Sequence, residues 1–143
     1  QGTSQSIFLL YAIALSDIPG KTALMQKLET ASGVSLASGP FPHFMGAPIM
    51  RLAPAGAADL DLLWGAFMAS GSDRYVLKII DALQYIDAGG DRNNFLLGFA
   101  AYWSLSSNAA QHPKVKEICK RELSASTGRK AELLSEILNL ERL

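Results

Sequence analysis

A chain of 143 residues has the size of one ordinary domain, large enough to bury about two-thirds of its unfolded surface without metal or disulfides. Thirteen Lys and Arg balance thirteen Asp and Glu, so no net field draws in a phosphate backbone, and nucleic acid is not an expected partner. Charged residues are 18% of the chain against 49% hydrophobic, which leaves apolar surface either to a compact core or to a covering protein, peptide or second copy.

Cys119 is the sole cysteine; it forms no intramolecular disulfide and reads as a small core residue of a helix. The longest apolar run, Ile7 to Leu15, is half of what a bilayer-crossing helix needs, so no membrane span is expected. Nor does it make a good signal peptide: no Lys or Arg precedes it, and Ser16-Asp17-Ile18-Pro19-Gly20 is a poor cleavage site. Because the chain starts at Gln1, a leader already removed would place it in the periplasm or outside the cell, and otherwise it belongs in the cytoplasm.

The run from Ile7 to Leu15 is read as buried helix, because its alanines favour helix and a lone strand would lack a partner. Asp17 and Pro19 then signal a helix start and Gly33 a stop, with Leu24, Leu28 and Ala31 on one face. From 33 to 58 the periodicity disappears under Pro40, Pro42, Pro48 and Pro54, which predicts one long Pro/Gly-rich loop. Its middle, Phe41 to Met50, is too apolar for a disordered linker and is expected to pack over the helices.

Asp59 to Ala69 reads as a helix with Leu60, Leu63, Trp64, Phe67 and Met68 inward, ended by Gly71. Ser72 or Asp73 starts the next, in which Tyr75, Val76, Ile79, Ile80, Leu83 and Ile86 repeat at helical spacing; so short a connection predicts an antiparallel hairpin. Asp91 caps a helix over 92–110 whose inner side is read as Phe95, Leu96, Phe99, Tyr102, Trp103 and Leu105 or Ser106. Pro113 opens a further helix with Val115, Ile118 and Cys119 inward, capped by His112. A closing helix over 129–140 turns Leu133, Leu134, Ile137 and Leu138 to the core.

The expectation is therefore an all-α single domain over 1–143, with six or seven helices packed as antiparallel hairpins into an α-solenoid-like array or an irregular bundle. Ala101, Leu105, Asn108 and Pro113 follow the spacing of the small, aromatic, small and proline positions in the second helix of a tetratricopeptide unit. Leu105 stands where the aromatic belongs and Asn108 where the small residue belongs, and Trp64 and Gly65 do not match the first-helix positions. To this partial extent the segment resembles a tetratricopeptide unit, and the hairpin from Leu63 to Ile80 resembles helical-hairpin proteins of bacteria. The resemblance implies stacked hairpins and transfers no site residue.

Catalytic and metal-binding patterns are missing from the sequence. The two histidines, His43 in the loop and His112 before Pro113, have no nucleophile-elbow sequence beside them. No His, Asp, Glu or Cys cluster has metal-ligand spacing, and Asp59 and Asp61, two apart, point away from each other and suit the first-turn dipole. Gly89-Gly90 follows a helix and reads as a turn, not a phosphate cradle. No cofactor, metal or catalytic residue is expected.

What remains is a set of polar and aromatic groups near the hairpin turns. Arg74, Arg92, Trp103 and Asn108, with His43 from the loop, are the candidate lining of a binding groove, Arg and Trp being the residue types most often energetic at interfaces. The competing assignment makes Arg74 and Arg92 solvated and Trp103 core. The function expected on these grounds is a non-catalytic helical protein-interaction domain of a bacterial protein, binding a protein or peptide, or a second copy of itself. The alternative is a small-ligand-binding protein or enzyme, with 33–58 as a lid and His43 as its titrating group.

Overall fold

A computed structural model of the chain describes residues 9–10, 12–14, 16, 18–33, 54–87, 89 and 91–139. All regular structure among the described residues is helical, and the fold is all-α, as the periodicity predicts. Residues 9–10 and 12–14 are helical, followed by α1 (Lys21–Ser32), α2 (Ala57–Ser70) and α3 (Asp73–Asp81). The last continues as a 3-10 turn (Ala82–Tyr85), and α4 (Arg92–Gln111), α5 (Pro113–Ala125) and α6 (Gly128–Asn139) complete the order. The chain divides into two compact units, Gln1–Ala53 with Asp61–Tyr75, and Pro54–Leu60 with Val76–Leu143.

In the first unit, Leu10, Ala12 and Ile13 are buried with Leu62, Leu63, Trp64, Ala66, Phe67 and Tyr75. Gly65 permits this packing: a Cβ built on it would lie 3.0 Å from the Cβ of Ala12, so the two backbones approach where a side chain would hold them apart. Trp64 and Phe67 meet edge to face at 6.2 Å. The helical turn at 12–14 ends on two polar devices. Ser16, itself buried, donates its Oγ–H to the Ile13 carbonyl at 2.6 Å, and Lys21 donates from Nζ to the carbonyls of Ala14 and Ser16 at 3.2 and 3.0 Å. A cation there meets the negative end of the helix dipole.

Helix α1 starts after Gly20 and stops at Gly33, whose φ of 71° lets its N–H reach the Glu29 carbonyl at 2.9 Å. Its predicted inner face is shallower than expected, since Leu24 and Leu28 are half-buried and Ala31 is exposed. Helix α2 begins at Ala57, and Asp59 reaches back to accept the Ala55 N–H at 2.8 Å, which adds a capping bond to the predicted dipole role. Met68, expected inside, is 47% exposed.

In the second unit, α4 packs on the 3-10 turn, on α5 and on α6, and α5 packs on α6. Two cross-links give the helix directions. Arg129 at the start of α6 bonds Asp87, just before α4, and Tyr102 in the middle of α4 donates its O–H to Glu136 near the end of α6 at 3.3 Å. Helix α6 therefore runs parallel to α4, and α5, joined to each by one or two residues, returns between them. Val76, Ile79, Ile80, Ala82, Leu83, Val115, Ile118, Cys119, Leu133, Leu134 and Ile137 are buried here. Each fully buried large apolar side chain contributes about 1.5–3 kcal/mol. Residues 34–53, including most of the predicted 33–58 loop, lie outside the described residues.

Candidate interaction surface

The site begins with a packing constraint on α4. Gly98 is buried against the end of the 3-10 turn: a Cβ on it would fall 2.4 Å from the Ile86 nitrogen and 2.7 Å from both the Ile86 Cα and the Tyr85 carbonyl carbon. Because the contacting atoms are backbone, they cannot rotate away, and position 98 has no room for a side chain. The buried positions of α4 are Leu97, Gly98, Ala101, Leu105 and Ala109.

That orientation overturns the predicted inner face. Phe95, Leu96, Phe99 and Trp103 are exposed by 43, 49, 42 and 55%, and of the six side chains expected inside, Leu105 alone is fully buried. Tyr102 is half-buried, and burial, then the nearby Glu136 carboxylate, raises its phenol above the ordinary range. Trp103 is therefore no core residue. Its spacing of four and eight from Phe99 and Phe95 makes a ladder along the helix, Phe95 stacked on Phe99 at 5.9 Å and Phe99 edge to face with Trp103 at 5.8 Å.

Beyond Arg92 at its start, the face is also free of charge. From Asn93 to Gln111 the sequence has no Asp, Glu, Lys, Arg or His. Its hydroxyls are bonded within the helix, Ser106 donating to the Tyr102 carbonyl at 2.8 Å and Ser107 accepting from Gln111 at 3.3 Å.

The predicted groove residues divide. Arg92 lies three turns before Trp103, exposed and on the same face. Asn108, five residues beyond Trp103, points about 140° away from it; it is half-buried and donates its Nδ2–H to the Ser104 carbonyl at 2.8 Å. Arg74 belongs to the first unit, where its guanidinium lies 5.4 Å from the Tyr75 ring and borders a hollow of about 500 Å³ lined also by Ile18, Pro19, Leu24 and Ala69. His43 lies outside the described residues. Sequence reasoning missed Phe95, Leu96 and Phe99 as surface residues. The available signal was a second apolar series, Gly98, Ala101, Leu105 and Ala109, on the opposite side of the same helix.

Other chemistry is sparse. His112 stands at the predicted cap position of α5, but its side chain makes no capping bond, and its backbone carbonyl accepts the Lys116 N–H at 3.1 Å instead. The Cys119 thiol is fully buried, and burial, then Glu122, pushes its pKa up to about 11, so it stays neutral and shielded. Trp64 Nε1 is buried with no hydrogen-bond partner among the described residues. A cleft of about 530 Å³ in the second unit is bordered by Asp81, Leu83, Gln84, Asp87, Arg129 and Lys130; both of its cations are paired, Arg129 with Asp87 and Glu132, and Lys130 with Glu122. Among the described residues no group of three His, Cys, Asp or Glu could hold a metal ion, and no helix is long and apolar enough to cross a membrane. The chain matches no protein family model, no curated protein and no solved structure.

Proposed function

We propose that the chain is a non-catalytic helical protein-interaction domain that docks a protein or peptide on the exposed face of α4. The observation that supports this reading is the ladder of Phe95, Phe99 and Trp103, with Leu96 beside it, standing in solvent on a helix with no charged residue after Arg92. Large aromatic side chains that a fold leaves outside are the residue types that carry most binding energy when a partner desolvates them. A tetratricopeptide-like stacking of hairpins and a bacterial setting belong to the same proposal. They are supported by Ala101 and Pro113 at the spacing of a small and a proline position of the tetratricopeptide second helix, and by the likeness of the 63–80 hairpin.

Selection of binders from a displayed library of helical peptides tests it. Binders are expected to present apolar side chains at helical spacing, and Trp103→Ala and Phe99→Ala are each expected to weaken them about tenfold or more. Arg74→Ala and Asn108→Ala, away from the ladder, are expected to change affinity little. If no ligand, including the chain itself, depends on Phe99 or Trp103, the proposal fails.

A further inference from the structure

We infer that the cleft between the end of α3 and the start of α6 binds a small organic cation, a primary ammonium carried on a short hydrocarbon body. The α4 surface plays no part in it. Ile80, Leu83 and Leu133, all buried, close the floor of this hollow of about 530 Å³, and Asp81, Gln84, Asp87, Arg129 and Lys130 stand around it. Its size falls within the roughly 300–1,000 Å³ usual for small-ligand sites, in which apolar walls carry a few placed polar groups.

The ligand's charge follows from which polar groups already have partners. Both cations do: Arg129 donates from Nε and Nη2 to Asp87 and from Nη1 to Glu132, and Lys130 donates to Glu122. The acceptors supplied by α3 and the 3-10 turn do not. Gln84 donates its Nε2–H to the Asp81 backbone carbonyl at 3.0 Å, which fixes the amide orientation and leaves Oε1 as an acceptor. Among the described residues nothing donates to that Oε1 or to the Asp81 carboxylate, and Asp81 makes no side-chain capping bond.

Asp81 ends α3 and Gln84 lies in the 3-10 turn that continues it, so a cation held by both also meets the negative end of the helix dipole, where a carboxylate alone is unfavourable. Among the lining groups and those bonded to them, the four carboxylates of Asp81, Asp87, Glu122 and Glu132 stand against two cations. An anion is repelled there and an ammonium is drawn in. No three His, Cys, Asp or Glu among the described residues are placed to hold a metal ion, and the apolar floor suits a hydrocarbon body, not a hydration shell.

Backbone amide NMR of the full chain, titrated separately with phenethylamine, phenethyl alcohol and hydrocinnamate, tests this, because the three probes share a body and differ in head group. Phenethylamine is expected to move the resonances of Asp81, Leu83, Gln84 and Arg129 saturably, and the alcohol and the carboxylate to bind about fivefold more weakly. Asp81→Asn, with a urea midpoint unchanged or slightly raised, is expected to weaken the amine about fivefold and to leave the alcohol as it was. Trp103→Ala removes the best cation-binding ring of the α4 ladder and is expected to leave the amine's affinity unchanged. Absence of a saturable shift overturns the inference. So does an alcohol or carboxylate that binds as tightly as the amine, or an Asp81→Asn protein that keeps wild-type affinity for it. Loss of amine binding in Trp103→Ala overturns it too, by moving the cation to the aromatic face, and leaves the interaction reading standing.

Discussion

Gly98 shows how one residue decides which side of a helix faces inward. Taken alone, Gly98→Ala ought to help α4, since glycine in a helix interior costs about 0.5–1 kcal/mol relative to alanine. At this position the added methyl would meet the Tyr85–Ile86 backbone at 2.4 to 2.7 Å, and backbone atoms yield only if the 3-10 turn moves. Overpacking of that kind costs about 1–3 kcal/mol, so the clash outweighs the propensity gain. Gly98→Ala is expected to lower the urea midpoint, whereas Ala100→Gly on the outer side should cost only the usual propensity difference. In the sequence Gly98 is merely a weak spot in a helical pattern, because nothing near it in the chain says that Ile86 lies against it.

Helix α4 is where local and tertiary information part. Its start was legible: Asp91 precedes the first periodic residue, and its Oδ1 accepts the N–H groups of Asn93 and Asn94 at 3.0 and 3.2 Å. Asp91→Ala is expected to destabilise the fold by about 1 kcal/mol in chemical denaturation, and Asp91→Ser by much less. Its inner face was not legible. Phe95, Leu96, Phe99 and Trp103 form one apolar series and Gly98, Ala101, Leu105 and Ala109 another, and hydrophobicity alone ranks the aromatic series inward. Close packing against the 3-10 turn reverses the ranking, because position 98 must face it and has no room for a side chain. The candidate site was thus half visible, with Trp103 and Arg92 named and Phe95 and Phe99 assigned to the core. By contrast α6 has one apolar face: of the four side chains read inward, Leu133, Leu134 and Ile137 are buried and Leu138 is half-buried.

Across the second unit, the start of α6 is tied to Asp87 by Arg129, with Nε donating to Oδ2 at 2.7 Å and Nη2 to Oδ1 at 3.3 Å. The hydrogen bond from Arg129, and then its charge, hold the Asp87 carboxyl below the usual carboxylate range, and the same bond raises the guanidinium further. A depressed folded pKa stabilises the native state above the ordinary aspartate pKa of about 3.9 and ceases to do so as pH falls through the folded value. Wild type is therefore expected to exceed Asp87→Asn by a small margin at neutral pH. That margin should close as pH drops below the aspartate range and shrink in high salt, because both side chains are half exposed. Urea titrations at neutral and acid pH, each at two salt concentrations, check the sign.

Periodicity and local signals along the chain carried the helical character of the molecule, the stops at Gly33 and Gly71, the cap at Asp91, the start of α5 at Pro113, and the inward faces of α5 and α6. These are short-range matters: spacing, a side-chain oxygen near an orphan N–H, a residue able to take positive φ. The direction of α6 along α4, the pairing of Arg129 with Asp87 and the outward turn of the aromatic ladder depend on contacts between segments far apart in the chain. There steric exclusion at one buried glycine overrides the tendency of large apolar side chains to leave water, and the surface proposed for binding is the consequence.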